Sequence, residues 1–433
     1  MNTQLYNHLD EANKAVKADK MTKPFNLPDP LPESPNMKGF VTDYINTLQV
    51  VEDDQFRNPK ASQYEVIMQC YKPKQIPVLT TLAKEFAVFD HWFCSVPSQT
   101  WCNRAFWHSA TSGGQVINPD PTPRLDGTPK KKYGDWLIDV SILDSFFQRM
   151  TTKGLKTKVY SDNAVSLNKL IYGIVATTAV IDTGSMEDFE NEIDAGKLPD
   201  YAFIEPKFMY AHNDMHPSAY GPGKFGKDKT GPGSVALGDE LIRKVYELIF
   251  TSSYKDNTLL IITFDEHGGC FDHIPPPPAV VPDEINKNGE KGFKFDRLGV
   301  RVPMVMVSSH IGKNTIVNDI FDHTSFIKTM SRKWGLEHIN KRDIKANSFD
   351  KIFSDETRTD LPNLSQFKYD IQEPKLDYKQ LKLNDLQRSI LYAASVLASE
   401  QGVLVKSTIN VDEIDNVHDA VKYLDLVSSV LGR

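Results

Sequence analysis

Short apolar, β-branched runs alternate along this chain with stretches in which apolar residues recur three or four positions apart. The runs predict strands at Phe86–Phe93, Lys158–Ser161, Tyr201–Ile204, Thr258–Phe264 and Val302–Val307. The segment TLLIITF is almost wholly apolar or β-branched, the pattern of a strand buried on both faces. The helical spacing is plain in Ile142, Phe146 and Met150, and in Leu241, Val245, Leu248 and Ile249. Asp322 stands where it can cap a helix running to about Trp334. Strand–helix–strand alternation predicts an α/β fold, a mostly parallel sheet sandwiched by helices.

Residues 1–36 carry a short helical pattern and then the proline-rich FNLPDPLPESPN, which reads as an extended N-terminal segment. The alternation occupies residues 37–361. Beyond about Asp343 the strand pattern stops, and residues 362–433 read as a C-terminal helical appendage, with helices in LNDLQRSILYAASVLASEQG and near Asp412–Leu431. Two long loops rich in Pro and Gly, Tyr220–Ser234 and Ile274–Gly292, are of the kind that carries function in compact domains.

The 433 residues are 40% hydrophobic and 25% charged, ordinary for a folded domain. The formal net charge of -7, without a long basic run, argues against nucleic acid as a partner. Cys70, Cys94, Cys102 and Cys270 form no CxxC pair, which argues against a thiolate zinc site, and they are too few for a disulfide framework. No apolar stretch approaches the roughly 20 residues of a membrane span, and MNTQLYNHLDEANKAVKADK has no apolar core of the secretory kind. The expectation for the chain as given is cytoplasmic; a segment upstream of Met1 would make it secreted or membrane-associated.

Ligands of open α/β sheets bind beyond the carboxyl ends of the strands. After TLLIITF come Asp265, Glu266, His267, Gly268 and Gly269, then Phe271, Asp272 and His273. Adjacent carboxylates at a buried strand end are costly unless a cation or hydrogen bonds compensate them. Oxygen ligands suit Mg, Ca or Mn, and an added histidine suits Zn or Fe; the alternative is an acidic turn. After Phe93, SVPSQTWCNR places a hydroxyl (Ser98 or Thr100), an amide (Asn103) and a cation (Arg104) close together, the set a phosphoryl transfer needs, or else a polar turn. After DYAFIEP, His212, Asp214 and His216 share a loop and could bind phosphate or protonate a leaving group. His323 lies at a helix start, beside backbone amides suited to an anion.

Taken together these residues resemble the phosphoesterase family of bacterial phospholipases C, plant non-specific phospholipases C and a bacterial acid phosphatase. The motifs HWFCSVPSQTWCNRAFWHSATS, YAFIEPKF, NDMHPS, TFDEHGGCFDHIPPPP, FDRLGVRVPMVMVS and FDHTSF stand in the family's order, from about Met37 to about Leu361. The resemblance implies an alkaline-phosphatase-like fold and hydrolysis of a phosphate ester through a covalent phosphothreonine on Thr100, with inversion at each step. It implies one divalent metal ion held by Asp265, Glu266 and Thr100. His216 and His323 become the catalytic histidines, one of them protonating the leaving alcohol, while Asn103, Arg104, His212 and His267 become the substrate-binding set, His267 also supporting the metal ligands. The family opens with a strand followed by a Glu-Asn-Arg-Ser-Phe-Asp-His motif whose Glu and Asn complete the metal site. Glu11 and Asn13 do not have that spacing, and the match begins at SPNMKGFVTDY, so the expectation is a chain without that strand and those two ligands. Three readings follow: a phospholipase C acting on phosphodiester lipids, an acid phosphatase acting on phosphomonoesters, and a catalytically impaired phosphate- or lipid-binding homologue. The expected partner is a phospholipid or small phosphate ester, with peripheral membrane contact; the apolar Ile274–Val281 is either near lipid or a rigid structural loop.

Overall fold

The computed structural model describes residues 34–50, 60–119, 144–172, 181–216, 234–284, 289–369, 377–400 and 411–431. Most of the N-terminal segment, Ile142 and nearly all of the loop Tyr220–Ser234 lie outside the described residues.

In chain order the elements are α1 (Phe40–Val50), α2 (Ala61–Tyr64), α3 (Pro77–Glu85), β1 (Ala87–Phe89), β2 (Trp92–Phe93), α4 (Thr100–Ser109), α5 (Phe146–Thr152), β3 (Thr157–Ser161), α6 (Leu167–Tyr172), β4 (Thr183–Gly184) and α7 (Met186–Asp194). Then follow β5 (Tyr201–Glu205), α8 (Val235–Phe250), β6 (Leu260–Thr263), β7 (Met304–Val307), β8 (Thr315–Val317), β9 (Phe321–Asp322), α9 (Thr324–Trp334), α10 (Lys341–Lys345), α11 (Asp385–Glu400) and α12 (Val417–Leu431). The run expected as one strand, Phe86–Phe93, is divided into β1 and β2 by the turn at Asp90 and His91.

The strands form three groups: a sheet of order β6-β7-β1-β8, a sheet of order β4-β3-β5, and the pair β2-β9. Parallel pairing joins β1 to β8, β2 to β9, and β3 to both β4 and β5. The departure from the parallel pattern is β7, antiparallel to β1 and β6, with Ile261 opposite Met306 and Val88 opposite Val305. The cause is the connection. β6 runs into β7 through a long loop rather than a helix, and a return without a crossover helix yields antiparallel neighbours. Met304, Val305, Met306 and Val307 are all buried, as an inner strand covered on both faces requires.

Helices cover both faces. Neighbouring residues of a strand point to opposite sides, and in β3 Tyr160 meets Phe189 of α7 while Val159 joins a cluster with Trp101 of α4. α8 packs with α7 and α3, and α9 packs with α4 and α10. α3 begins with Pro77, whose missing N–H is no loss at a first turn; the next two amides, Val78 and Leu79, donate to the buried carboxylate of Asp239 in α8 at 3.0 and 2.9 Å.

One core cluster includes Leu82, Phe86, Trp92, Val245, Met306 and Phe326. A second joins Trp101, Val159 and Leu170 to Leu391, Leu397 and Tyr423, so α11 and α12 cover the outer side of α4 and α6. Trp101 Nε1 donates to Ser389 Oγ at 2.8 Å and Gln99 Nε2 to Asp385 Oδ2 at 2.9 Å, which ties the C-terminal helices to the segment carrying Thr100. Among the described residues no helix is long and apolar enough to cross a membrane.

Candidate active site

Thr100 is the first residue of α4, a helix whose ten residues are all buried. The loop before it is pinned from within. Asn103 accepts from Val96 N–H at 3.1 Å and donates through Nδ2 to the carbonyls of Val96 (3.2 Å) and Ser98 (3.1 Å). Asn118 Oδ1 accepts from Trp101 N–H at 3.1 Å, satisfying one of the free amides of the helix start. The residue types by themselves left Ser98 and Thr100 as alternatives, and the family resemblance pointed to Thr100. The Ser98 hydroxyl donates to the Val116 carbonyl, whereas Thr100 lines a cavity of about 1640 Å³. Asn103 lines that cavity too, but both ends of its amide are engaged with the loop, so here it clamps the segment that leads into Thr100.

Asp265 and Glu266 follow β6 at the same cavity. The turn closes locally. Asp265 Oδ1 accepts from Glu266 N–H at 3.1 Å and Glu266 Oε2 from Gly268 N–H at 2.8 Å. Gly268 and Gly269 lie in the left-handed region (φ 60° and 77°), which a β-carbon would oppose. Arg104, one turn after Thr100, donates from an Nη atom to Glu205 Oε1 at 3.1 Å and holds its Nε 3.7 Å from Asp265 Oδ2. That oxygen is buried and accepts no hydrogen bond. Burial, with the neighbouring Asp265 charge, pushes the Glu266 carboxyl up to about 7, against the opposing effect of His216. The pair is therefore short of positive charge.

His323 is fixed between two partners. Trp92 Nε1 donates to Nδ1 at 3.3 Å, and Nε2–H donates to the Asp265 carbonyl at 2.8 Å. These partners select the neutral tautomer with the proton on Nε2, and burial pushes its pKa down in agreement. Asp322 bonds the amide and hydroxyl of Thr324 as the sequence suggested, although the residue at the N-cap position is His323.

The loop after β5 brings His212 Nδ1 to 2.8 Å from Asp214 Oδ1, which also accepts from His216 N–H at 3.1 Å. Burial opposes ionisation of Asp214, but the His212 bond and the two imidazoles outweigh it and lower its pKa. His216 is half exposed, with Nε2 3.7 Å from Glu266 Oε1. His267 sits on the other side of that carboxylate, Nδ1 3.7 Å from Oε2, edge-on to Phe40 at 6.0 Å, and burial pushes its pKa down to about 4. The structure thus gathers Thr100, Arg104, Asp265, Glu266, His216, His267 and His323 on one cavity, while buried His212 braces Asp214.

Sequence reading missed two supports. Glu205 accepts from Arg104, from the amides of Leu167 and Asn168 at 3.0 and 2.8 Å, and from Asn168 Nδ2 at 2.9 Å; the acidic end of YAFIE was its only signal. Arg342 bonds Asp322 Oδ2 at 3.3 Å and the carbonyls of Ser95 (2.6 Å), Val280 (2.6 Å) and Phe295 (3.0 Å). Nothing near Arg342 in sequence announces this. The run Ile274–Val281 is braced by bonds from Leu298 N–H to Pro277 O (3.1 Å) and from Ala279 N–H to Asp296 O (2.7 Å), a structural loop.

The oxygen donors of Asp265 and Glu266 suit a hard divalent cation, since the orphaned Asp265 oxygen and the raised Glu266 carboxyl both call for one. Among the described residues no group of three His, Cys, Asp or Glu side chains completes a cage.

The Phosphoesterase family's sequence model matches residues 12–337. Non-specific phospholipase C6 of Arabidopsis thaliana is 33% identical over 389 residues, covering 84% of this chain, and the chain spans 65% of that relative's length. Phospholipase C B of Mycobacterium tuberculosis is 27% identical over 306 residues, 64% of this chain and 54% of the relative. A solved protein of the alkaline phosphatase superfamily from Vibrio parahaemolyticus shares 13% identity at a TM-score of 0.38, over 66% of this chain and 67% of that one.

Proposed function

We propose, for a chain that belongs to the Phosphoesterase family, that it hydrolyses phosphodiester lipids as a phospholipase C, with Thr100 as nucleophile. The observation that carries this reading is the meeting of Thr100, at the start of a buried helix, with the Asp265–Glu266 pair on one cavity, Arg104 standing beside the pair. The lipid as substrate rests on the relatives named phospholipase C.

A divalent cation on Asp265, Glu266 and Thr100 would make the hydroxyl more acidic and neutralise charge on the phosphate. The chain's own residues do the rest. Thr100 gives its hydroxyl proton to solvent, Oγ1 bonds to phosphorus, and the bond from phosphorus to the leaving alcohol breaks. His216, half exposed beside Glu266, gives that alcohol its proton. In the second step water bonds to phosphorus and returns a proton to His216, the bond to Oγ1 breaks, and Thr100 regains a proton from solvent. His323, committed to the Asp265 carbonyl, acts by holding the metal-side backbone in place.

The test is turnover of phosphatidylcholine and of a chromogenic phosphate monoester, each with EDTA and with added divalent metals, beside Thr100→Ala. Metal-dependent release of phosphocholine, reduced by about 10³-fold or more in Thr100→Ala, is the expected result. Turnover of the monoester alone would replace the lipase with a phosphatase. The third reading, a binding homologue, predicts thermal stabilisation by ligand with no turnover under any condition.

A further inference from the structure

The four cysteines divide into two kinds. Cys94 and Cys102 are fully buried, and the Cys94 thiol donates to the Val96 carbonyl at 3.3 Å. Cys70 is exposed and Cys270 half-buried, both as free thiols. These two stand 200 positions apart in sequence, yet both line the cavity that reaches Thr100 and Glu266.

The backbone draws them together. Phe271 N–H donates to the Ile67 carbonyl at 2.9 Å, and a bond of that kind sets two chain segments about 5 Å apart. Each cysteine follows a tight turn beside it. Gln69 N–H donates to the Val66 carbonyl at 3.2 Å just before Cys70, and Cys270 N–H donates to the His267 carbonyl at 2.9 Å. The side chains share one electrostatic neighbourhood. Burial and then the Cys270 charge raise the pKa of Tyr71, next to Cys70. Burial raises the pKa of Cys270, with added effects of Glu266 and then Cys70. A disulfide asks for α-carbons about 4.4–6.8 Å apart. Residues 68–75 are all exposed, so the Cys70 segment can close on Cys270 without disturbing a packed core.

What such a pair would hold is the acidic turn. Cys270 directly follows Asp265, Glu266, His267, Gly268 and Gly269, a segment outside helix and strand. Glu266 Oε2 accepts from Gly268 N–H inside it, and both glycines have positive φ. A covalent tie at the end of this turn restrains the backbone that presents Glu266 to the cavity.

We propose that Cys70 and Cys270 form a modification site, a reversible disulfide that fastens the turn carrying Glu266 to the exposed segment 68–75. The oxidant is a small-molecule disulfide such as oxidised glutathione. Cys70, the exposed thiol, gives its proton to solvent, and its sulfur bonds to one sulfur of the oxidant. The oxidant's S–S bond breaks and one small thiol leaves with a proton. Cys270 then gives up its proton, its sulfur bonds to Cys70 Sγ, and the second small thiol leaves with a proton. Two protein thiols are oxidised to one disulfide, and the oxidant is reduced to two thiols. A dithiol reductant runs the same steps backwards. The tie slows turnover because the acidic pair can no longer adjust to cation and substrate; that consequence rests on the phosphoesterase reading, and the disulfide does not.

The experiment treats the full chain with oxidised glutathione, counts thiols, and maps unreduced peptides by mass spectrometry. The thiol count should fall from four to two, with Cys70 and Cys270 in one linked peptide pair and the protein still monomeric. Amide exchange in 265–271 should slow by about tenfold in the bridged protein. Dithiothreitol should restore both readings, and Cys70→Ser should abolish the bridge and the slowing. Three results would each overturn the proposal: glutathione held on the two thiols without a bridge, a bridge between two copies of the chain, or a bridge that leaves exchange in the turn unchanged. Turnover of a phosphate ester is read on the same samples. An active chain should lose about tenfold on bridging and regain it on reduction; an active chain indifferent to the bridge would overturn the regulation. A chain without turnover in either state counts against the phosphoesterase reading and leaves the disulfide result standing.

Discussion

Arg342→Met isolates the contribution of a buried cation far from Thr100 in sequence. The guanidinium is 3% exposed and makes four hydrogen bonds, one to Asp322 and three to carbonyls of Ser95, Val280 and Phe295. Methionine keeps much of the volume and removes every donor. Asp322 then keeps Ser95 Oγ and the Thr324 amide and hydroxyl, but loses its counter-charge. Breaking a buried pair from one side costs about 3–5 kcal/mol, and the remaining donors place this site near the lower bound. The three carbonyls add at most about 1 kcal/mol each, less than additively because they share one side chain. The expected loss is about 3–6 kcal/mol by urea denaturation. Asp322→Asn in the same background removes the stranded charge, so the double variant should be more stable than the sum of the singles by at least about 1 kcal/mol. Because Ser95 precedes Thr100 and Asp322 precedes His323, turnover by the folded fraction should fall as well. A loss under about 1 kcal/mol, or strict additivity, would refute the reasoning.

Gly238→Ala tests the seat of the histidine loop: a β-carbon there would lie 2.4 Å from Met215 Cγ and 2.9 Å from the Asn213 carbonyl, so His216 must shift. Turnover should drop about tenfold or more with a stability loss of about 1–3 kcal/mol, read by kinetics beside a thermal melt. Trp92→Phe removes the donor that fixes the His323 tautomer while keeping an aromatic ring; kcat should fall more than KM changes, and ¹⁵N chemical shifts of the imidazole should show Nε2 losing its exclusive hold on the proton. Asp272 meets Arg301 through two bonds of 2.7 and 2.8 Å; burial alone would raise its pKa, but this partner lowers it. A depressed carboxylate stabilises the fold above its unfolded pKa of about 4 and loses that effect as pH falls through the lower folded value. The stability gap between the native chain and Asp272→Asn should therefore be full at pH 6 and shrink below about pH 4, measured by melts across that range.

Most strands and helices were legible because their cues are local. β6 and β7 fall within the expected runs, β3 and β5 each exceed theirs by one residue, and α8 and α9 follow their apolar spacing. The site's inventory was legible for the same reason, since residues just beyond strand ends are contiguous with the runs that mark the strands. Roles were less so. Asn103 has the composition of a phosphate donor, but the loop folds back on it and takes both ends of its amide.

The sequence by itself determined the α/β class, the acidic pair after β6, the hydroxyl segment after β2 and the membership of a family. Tertiary structure alone decided that Ser98 is engaged with the Val116 carbonyl while Thr100 lines the cavity, which tautomer His323 holds, and where Arg342 sends its charge. The reason is range. Periodicity and turn chemistry act over a few residues. A hydrogen bond such as Arg342 to Ser95, 247 positions apart, exists only when the fold makes two remote surfaces meet, and no local pattern records the meeting.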